Sequence, residues 1–161
     1  MSFSNTFVNI INHIEEQNQS ADPRGLKVKE SILSSFTIDP AQPIANFEKR
    51  KFNWKYLAGE LCWYLQQDRD VDFIGSFSNF WGTLTNPDSN EINSNYGHLI
   101  YSDKYHHQYG QVLDELLANP DGRRASMIYT RPSIWMEYNE DGKNDFICTN
   151  AVTYYIRDNW L

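Results

Sequence analysis

The chain lacks an excess of positive charge. Its 14 lysines and arginines are outnumbered by 21 aspartates and glutamates, which gives a net charge of −7. A protein that holds nucleic acid through general electrostatics needs a basic face, because lysine and arginine replace the counterions condensed on the phosphates. We therefore expect no direct binding of nucleic acid, and an anionic ligand would need a local cluster of basic residues.

Long apolar runs and abundant cysteines are also missing. No stretch approaches the ~18 apolar residues of a membrane-spanning helix, and no repeat or low-complexity tract is present. The two cysteines, Cys62 and Cys148, follow no charged-then-apolar leader, so we expect free thiols in a reducing compartment. These absences argue against a membrane or secreted protein and favour a cytoplasmic one.

The composition that remains is globular. With 40% hydrophobic and 15% aromatic residues in 161 positions, the chain is expected to form a single domain over residues 1–161. The last residues before Leu161 still have the pattern of a strand and the turn that leaves it. We therefore expect the sheet, and with it the domain, to be incomplete at the C-terminus.

Hydrophobic periodicity predicts helices over residues 5–17, 54–65, 71–77 and 103–118, and strands over 28–38, 125–129, 134–138 and 146–156. Asn5 and Asn53 are suitable helix caps, and Asp141-Gly142 predicts a tight hairpin. The second helix is the best defined, because one face carries five apolar side chains at helical spacing: Trp54, Leu57, Leu61, Tyr64 and Leu65.

Glu60 interrupts this apolar face with a carboxylate. It lies three residues after Leu57 and four before Tyr64, so helical geometry places it on the same side of the helix. Burying an ionised carboxylate is costly unless it is paired, so the position predicts a hydrogen-bonding partner and an acid or base function. The alternative is a glutamate at the edge of the face that reaches water.

Cys148 alternates with Phe146, Asn150 and Val152 on one face of a predicted strand. This pattern fits an inert core thiol as well as a nucleophile, since a reactive cysteine needs an electropositive setting.

Arg123 and Arg124 could supply such a setting, because guanidinium groups bind phosphate in a bidentate manner. Adjacent residues of a strand point to opposite faces, so one of the two could instead be structural or reach another subunit. The alternative for both is a solvated surface position.

Two aromatic residues and three histidines complete the set of candidates. Trp81 could present a flat apolar wall and Tyr96 a phenol from a loop, although single aromatics usually belong to the core. His98, His106 and His107 match no established ligand spacing, so we expect no metal site.

In chain order these residues resemble the N-terminal part of the thymidylate synthase and deoxycytidylate hydroxymethylase family. The helix of the acid/base glutamate resembles Gly59-Glu60-Leu61-Cys62-Trp63-Tyr64-Leu65, and the phosphate loop resembles Asp22-Pro23-Arg24-Gly25. The folate-facing tryptophan resembles Trp81, the Tyr-Gly of the active site resembles Asn95-Tyr96-Gly97, the paired arginines resemble Arg123-Arg124, and the nucleophile resembles Cys148. The resemblance implies an α+β fold with a mixed sheet flanked by helices, and a homodimer that packs sheet against sheet.

The phage deoxycytidylate hydroxymethylase branch is the most similar. Residues 92–97, 128–133 and 148–150 look like that branch, whereas Ile147, Thr149 and Thr153 stand where synthases typically have proline, histidine and glutamine. The resemblance implies deoxycytidylate as substrate, 5,10-methylenetetrahydrofolate as co-substrate, and the cytoplasm of a bacterium or a phage-infected host.

The resemblance also implies a role for each candidate. Cys148, Glu60 and Tyr96 are the expected catalytic residues; Arg24, Arg123, Arg124 and Asn150 are expected to bind the nucleotide, and Trp81 the folate. The Cys148 thiolate would add to carbon 6 of the pyrimidine, and Glu60 would move protons through water.

Two alternatives stay open. The same scaffold could act on deoxyuridylate, as a thymidylate synthase or a hydroxymethylase, because the residue that reads the base in this family falls beyond Leu161. The chain could also be an inactive fragment or a split half that needs a C-terminal partner, because the family's ribose-binding and folate-closing segments fall there too.

Overall fold

A computed structural model describes residues 2–17, 19–44, 47–48, 51–85, 89–138 and 145–161, without the side chains of Arg24, Glu137 and Tyr138. The chain divides into two compact units, Met1–Phe52 and Asn53–Leu161. Helices and short antiparallel sheets occur in both, which confirms the α+β class. The expectation of a single domain stays a prediction. Within the described ranges, no helix has both the length and the apolar character that crossing a membrane requires.

The described residues of the first unit include an α-helix and a hairpin. Helix α1 (Phe3–Gln17) begins before the predicted cap Asn5, because the backbone oxygen of Ser2 accepts the N–H of Asn5. Strand β1 (Gln19–Ala21) pairs antiparallel with β2 (Val28–Glu30). The strand predicted to extend to residue 38 therefore ends early, since β1 offers only three residues for pairing.

The second unit opens with the helix that the sequence defined best. Helix α2 (Trp54–Gln66) is capped as predicted, because the Asn53 side chain accepts the N–H of Tyr56 at 3.0 Å. Helix α3 (Val71–Gly75) follows and is shorter than predicted, with Asp70 as its cap.

Two helices replace the predicted loop at Tyr96 and the long helix after it. Helix α4 (Tyr96–Tyr101) was not predicted, and helix α5 (Gln108–Ala118) begins later than expected. The interruption lies at His106 and His107, which adopt left-handed backbone angles of φ 65° and 46°. Consecutive left-handed residues cannot continue a right-handed helix, so the predicted helix is divided there.

The remaining strands are short and antiparallel. Strand β3 (Ser126–Ile128) pairs with β4 (Ala151–Thr153), with Met127 opposite Val152. The backbone oxygen of Asn150 accepts the N–H groups of Tyr129 and Thr130, which carries the pairing toward Cys148. Regular strand thus covers only a small part of the predicted 146–156 segment.

The strand predicted over residues 134–138 is wrong, because helix α6 (Ile134–Tyr138) occupies it. The turn at Pro132 and Ser133 explains the difference: the Ile134 N–H donates to the Arg131 oxygen, which starts a helical turn. Ile134 is then buried as an anchor while Trp135 remains exposed. The predicted hairpin at Asp141-Gly142 lies outside the described residues.

Two clusters form the described core of the second unit. The first contains residues of α4, α5, β3, α6 and the Cys148 segment: Leu99, Val112, Ala125, Met127, Tyr129, Ile134 and Ile147. The second contains residues of α2, α3 and the segments after α3: Trp63, Val71, Ile74, Trp81 and Ile92. Tyr96 packs against the first cluster and Tyr64 against the second, so these two rings lie between them.

Most of the predicted apolar face of α2 is exposed, and Tyr64 is the member of it that packs within this unit. The helix buries Gly59 and Trp63, whereas Leu61, on the predicted face, is 59% exposed. Helix α2 is therefore apolar on both sides, and hydrophobic periodicity could not tell which side meets this core. Cys62, expected in the core, is exposed for the same reason.

Gly97 brings α4 into direct contact with the end of α2. A Cβ atom at this position would overlap the carbonyl oxygen of Tyr64 and lie 2.7 Å from its Cα. Only glycine permits this approach, which places the neighbouring Tyr96 beside Tyr64.

Substituting alanine for Gly97 is expected to lower the free energy of unfolding by about 3 kcal/mol or more, because the added methyl group forces the two helices apart. Urea unfolding of Gly97→Ala measures this change. Gly82→Ala is the matched control, because a Cβ there meets no atom within 4 Å. Equal stability of the two variants would contradict the close approach.

Candidate active site

Glu60 is half-buried and receives two phenol hydrogen bonds. Tyr64 donates to its Oε1 at 2.9 Å and Tyr56 donates to the same oxygen at 3.3 Å. The three residues are spaced four apart along α2, so they follow one another on a single face. Burial and the charge of Glu60 raise the pKa of both phenols, which keeps them protonated as donors. The partner that the sequence predicted for Glu60 is therefore a pair of tyrosines.

Trp81 extends this hydrogen-bonded group. Its ring packs on Trp63, with 5.1 Å between the centroids, and it is only 9% exposed. Its indole N–H donates to the Tyr56 hydroxyl at 3.0 Å. Because Tyr56 accepts from Trp81, its own proton points to Glu60.

Tyr96 connects the hydrogen-bonded group of Glu60, Tyr56, Tyr64 and Trp81, here called the Glu60 group, to the segment that carries Cys148. Its ring meets Tyr64 edge-on at 5.7 Å and Tyr129 edge-on at 5.3 Å. The Tyr96 hydroxyl accepts from Thr149 Oγ1 at 3.4 Å. Glu60 and the neighbour of Cys148 thus belong to one chain of contacts.

Asn95 fixes the start of α4 from inside the core. It is fully buried, accepts the N–H of His98 at 2.9 Å, and donates to the backbone oxygens of Trp63 and Asp68 at 3.1 and 2.8 Å. These bonds tie the residue before Tyr96 to the end of α2.

Cys148 is an exposed free thiol, so the alternative of a core cysteine is wrong. Its segment alternates as predicted from Phe146 to Asn150, where Phe146, Cys148 and Asn150 are exposed and Ile147 is buried. Val152, predicted on the same face, instead packs against the core. The thiol contacts the Phe146 oxygen at 3.7 Å.

Asp145 is a buried carboxylate that the sequence analysis missed. It is 2% exposed and accepts from the backbone N–H groups of Asn93 and Ser94 and from the Ser94 hydroxyl. Asp145 therefore attaches the Cys148 segment to the residues that precede Tyr96. The sequence signal was an acidic residue at an inward position of the alternating segment, beside Ile147.

The predicted phosphate-binding arginines are more dispersed. Arg124 is 76% exposed and forms a bidentate pair with Glu115 of α5, with Nε–Oε1 and Nη2–Oε2 distances of 3.1 and 3.2 Å. Arg123 is also exposed. Arg24 lies in the Pro23–Gly25 turn of the first unit. The roles expected of these residues and of Asn150 stay predictions.

Comparison with known proteins shows the family of this chain. The family model for thymidylate synthase matches residues 5–145. The chain belongs to the thymidylate synthase family. It is also 42% identical over 146 residues to the deoxycytidylate 5-hydroxymethyltransferases of Enterobacteria phages T4, T2 and T6. The match covers 90% of this chain and 57% of each relative's length.

Membership of the thymidylate synthase family confirms the resemblance. The roles of Glu60, Tyr96, Trp81 and Cys148 stay predictions. Asp145 is the last residue of the family match and lies three positions before Cys148. The hydrogen bonds that Asp145 accepts from Asn93 and Ser94 indicate a structural role, which is to hold the Cys148 segment in place.

Asp145→Ala is expected to destabilise the protein by about 3 kcal/mol, because it leaves two backbone N–H groups and a hydroxyl without their acceptor. Asp145→Asn should be much milder, since its amide oxygen can accept both N–H groups while its NH₂ donates to the Ser94 hydroxyl. Urea unfolding of both variants tests this, and equal losses would contradict the proposed acceptor geometry.

The difference in stability between wild type and Asp145→Asn is also expected to depend on pH. Burial raises the pKa of Asp145 above its ordinary 3.8, although the hydrogen bonds from Ser94 and Asn93 oppose the shift. A raised pKa means that the folded state favours the neutral acid, so this residue's contribution to stability is lost as the pH rises from about 4 through the raised pKa. Wild type should therefore gain stability relative to Asp145→Asn on acidification from pH 7 to about 4.5, measured by urea unfolding.

Proposed function

We propose that this protein transfers a one-carbon unit from 5,10-methylenetetrahydrofolate to carbon 5 of deoxycytidylate and leaves it there as a hydroxymethyl group. The observation that carries the proposal is the contact chain from Glu60 through Tyr64 and Tyr96 to Thr149, beside Cys148. It connects a half-buried carboxylate with an exposed thiol, the two groups that general base and nucleophilic catalysis require.

Cys148 acts as the nucleophile. Its exposed thiol leaves room for a flat pyrimidine ring. The thiolate forms a bond to carbon 6, and the electron pair of the C5–C6 double bond moves to carbon 5, which then attacks the one-carbon unit. Loss of the carbon 5 proton breaks the bond between the one-carbon unit and the folate nitrogen, which releases tetrahydrofolate and leaves an exocyclic methylene. Water adds to this methylene as the hydroxyl, and the sulfur–carbon bond then breaks to recover the thiolate.

Glu60 transfers protons in this sequence. Two phenol donors hold one of its oxygens, so the carboxylate has a defined orientation toward a water molecule at the ring. In the ionised form it accepts a proton from the water that adds to the new exocyclic carbon. Tyr96 supports the same step by holding Tyr64 in place through its ring.

The choice of deoxycytidylate rests on two observations. The curated relatives are deoxycytidylate 5-hydroxymethyltransferases, and Thr149 and Asn150 follow the cysteine here, as the resemblance to that branch implies. Asn150 is exposed beside Cys148, in a position suited to contact the nucleotide.

The folate is a co-substrate that supplies the one-carbon unit. Trp81 is the expected contact, but its ring is 9% exposed and packed on Trp63, so the rim of the indole is what a ligand could touch. The neighbouring Phe80 is exposed, and its ring lies 6.3 Å from that of Trp81. Together the two rings offer an exposed aromatic surface against which a pterin could pack.

Release of tritium from nucleotide labelled at carbon 5 tests the chemistry directly, because the carbon 5 hydrogen leaves only after Cys148 has added. Wild type with methylenetetrahydrofolate should release tritium from deoxycytidylate, and Cys148→Ala should abolish release. Cys62→Ala is the matched control, because Cys62 is also an exposed free thiol and, two residues after Glu60, projects from the opposite side of α2.

Other outcomes of this assay would change the proposed base or overturn the proposed function. Release from deoxyuridylate alone would replace cytosine by uracil as the base. Release from neither nucleotide by folded protein, or release that persists in Cys148→Ala, would overturn the proposed function.

We also propose that Arg123 and Arg124 serve the site of a second subunit in a homodimer, where they would bind the nucleotide phosphate. Both are exposed, and Glu115 holds the Arg124 guanidinium in a fixed position.

Subunit mixing tests this sharing. Arg123→Ala/Arg124→Ala and Cys148→Ala should each be inactive alone, whereas an equimolar mixture should recover about a quarter of wild-type activity, because random pairing creates one intact site in half of the dimers. A mixture that stays inactive, with mixed dimers demonstrated by differently tagged chains, would contradict it.

A further inference from the structure

The two phenols on Glu60 reach the same carboxylate oxygen. Tyr64 and Tyr56 both donate to Oε1, at 2.9 and 3.3 Å. Within the described residues, Oε2 receives no protein donor. The carboxylate therefore has one oxygen engaged by the protein and the other available to water or substrate.

Both donors are themselves held in place. The Tyr56 hydroxyl accepts the indole N–H of Trp81, which leaves its single proton for Glu60. The Tyr64 ring lies between Trp63 and Tyr96, at centroid distances of 5.6 and 5.7 Å. Neither phenol can rotate freely away from Glu60 without losing these contacts.

We propose that Tyr56 and Tyr64 are positioning residues that engage Oε1 of Glu60 and leave proton transfer to Oε2. This inference rests on the proposed acid/base function of Glu60 and adds the two residues that would prepare it. Two donors on one carboxylate oxygen fix the orientation of the group, so the second oxygen faces the position where a proton is exchanged. Geometry held by neighbouring side chains also keeps the reacting oxygen within reach.

The substitutions Tyr56→Phe and Tyr64→Phe remove one donor each and keep the ring. Each should lower kcat about tenfold with little change in KM for the nucleotide, since neither phenol is expected to touch the substrate. Tyr109→Phe is the matched control, because this α5 residue packs against Tyr101 and not against Glu60.

A structural contribution alone would give a different result. It would lower the melting temperature and the amount of active protein whether or not the Glu60 carboxylate is present. In a Glu60→Gln background, Tyr64→Phe should cause little further loss of kcat, because a phenol that acts through the carboxylate has nothing left to prepare. Equal fold-losses in both backgrounds would overturn the proposal.

A measurement without turnover separates this inference from the proposed function. The carbon-13 chemical shift of the Glu60 carboxyl, assigned by loss of the signal in Glu60→Gln, reports the hydrogen bonds to this group in the free protein. Measured at one fixed pH, it should change in Tyr56→Phe and Tyr64→Phe but not in Tyr109→Phe. An unchanged chemical shift would overturn the positioning role even in an active enzyme. A changed chemical shift in a protein that releases no tritium would keep the hydrogen-bonding role and reject only the proposed reaction.

Discussion

The close approach of α4 to the last turn of α2 is the constraint on which the candidate site depends. Gly97 permits it by lacking a side chain where the Tyr64 backbone passes, and buried Asn95 secures it by donating to Trp63 and Asp68. The approach brings two otherwise separate hydrophobic clusters together through the rings of Tyr64 and Tyr96. Without it, the Glu60 group and the Cys148 segment would belong to different parts of the unit.

The polar side chains near the site are held by hydrogen bonds to buried or half-buried partners. Asp145 anchors the Cys148 segment to the backbone before Tyr96, and Tyr56 and Tyr64 anchor Glu60. Buried hydrogen bonds of this kind are costly to break, because the group left behind has no water to replace its partner. Such bonds can hold reactive side chains in a narrow range of orientations while the thiol of Cys148 stays open to solvent.

Prediction from the sequence succeeded where the structure depends on short-range interactions along the chain. The Asn53 cap, helix α2, the alternation around Cys148 and strand β3 all follow from residues close together in the chain. It failed at α4, because the Asn95 cap is supported by distant backbone oxygens, and at residues 134–138, where a turn after Arg131 begins a helix. It also chose the wrong face of α2, because both faces are apolar and only the packing partner distinguishes them.

The sequence by itself determined the family, the α+β class and the residues with reactive side chains, because residue identity and order suffice for these. Only the tertiary structure decided how those side chains are used. It paired Glu60 with two tyrosines, exposed Cys148, buried Asp145 beneath its segment and engaged Arg124 with Glu115. These outcomes depend on contacts between residues far apart in the chain, whose geometry is set when helices and strands pack together and exclude water.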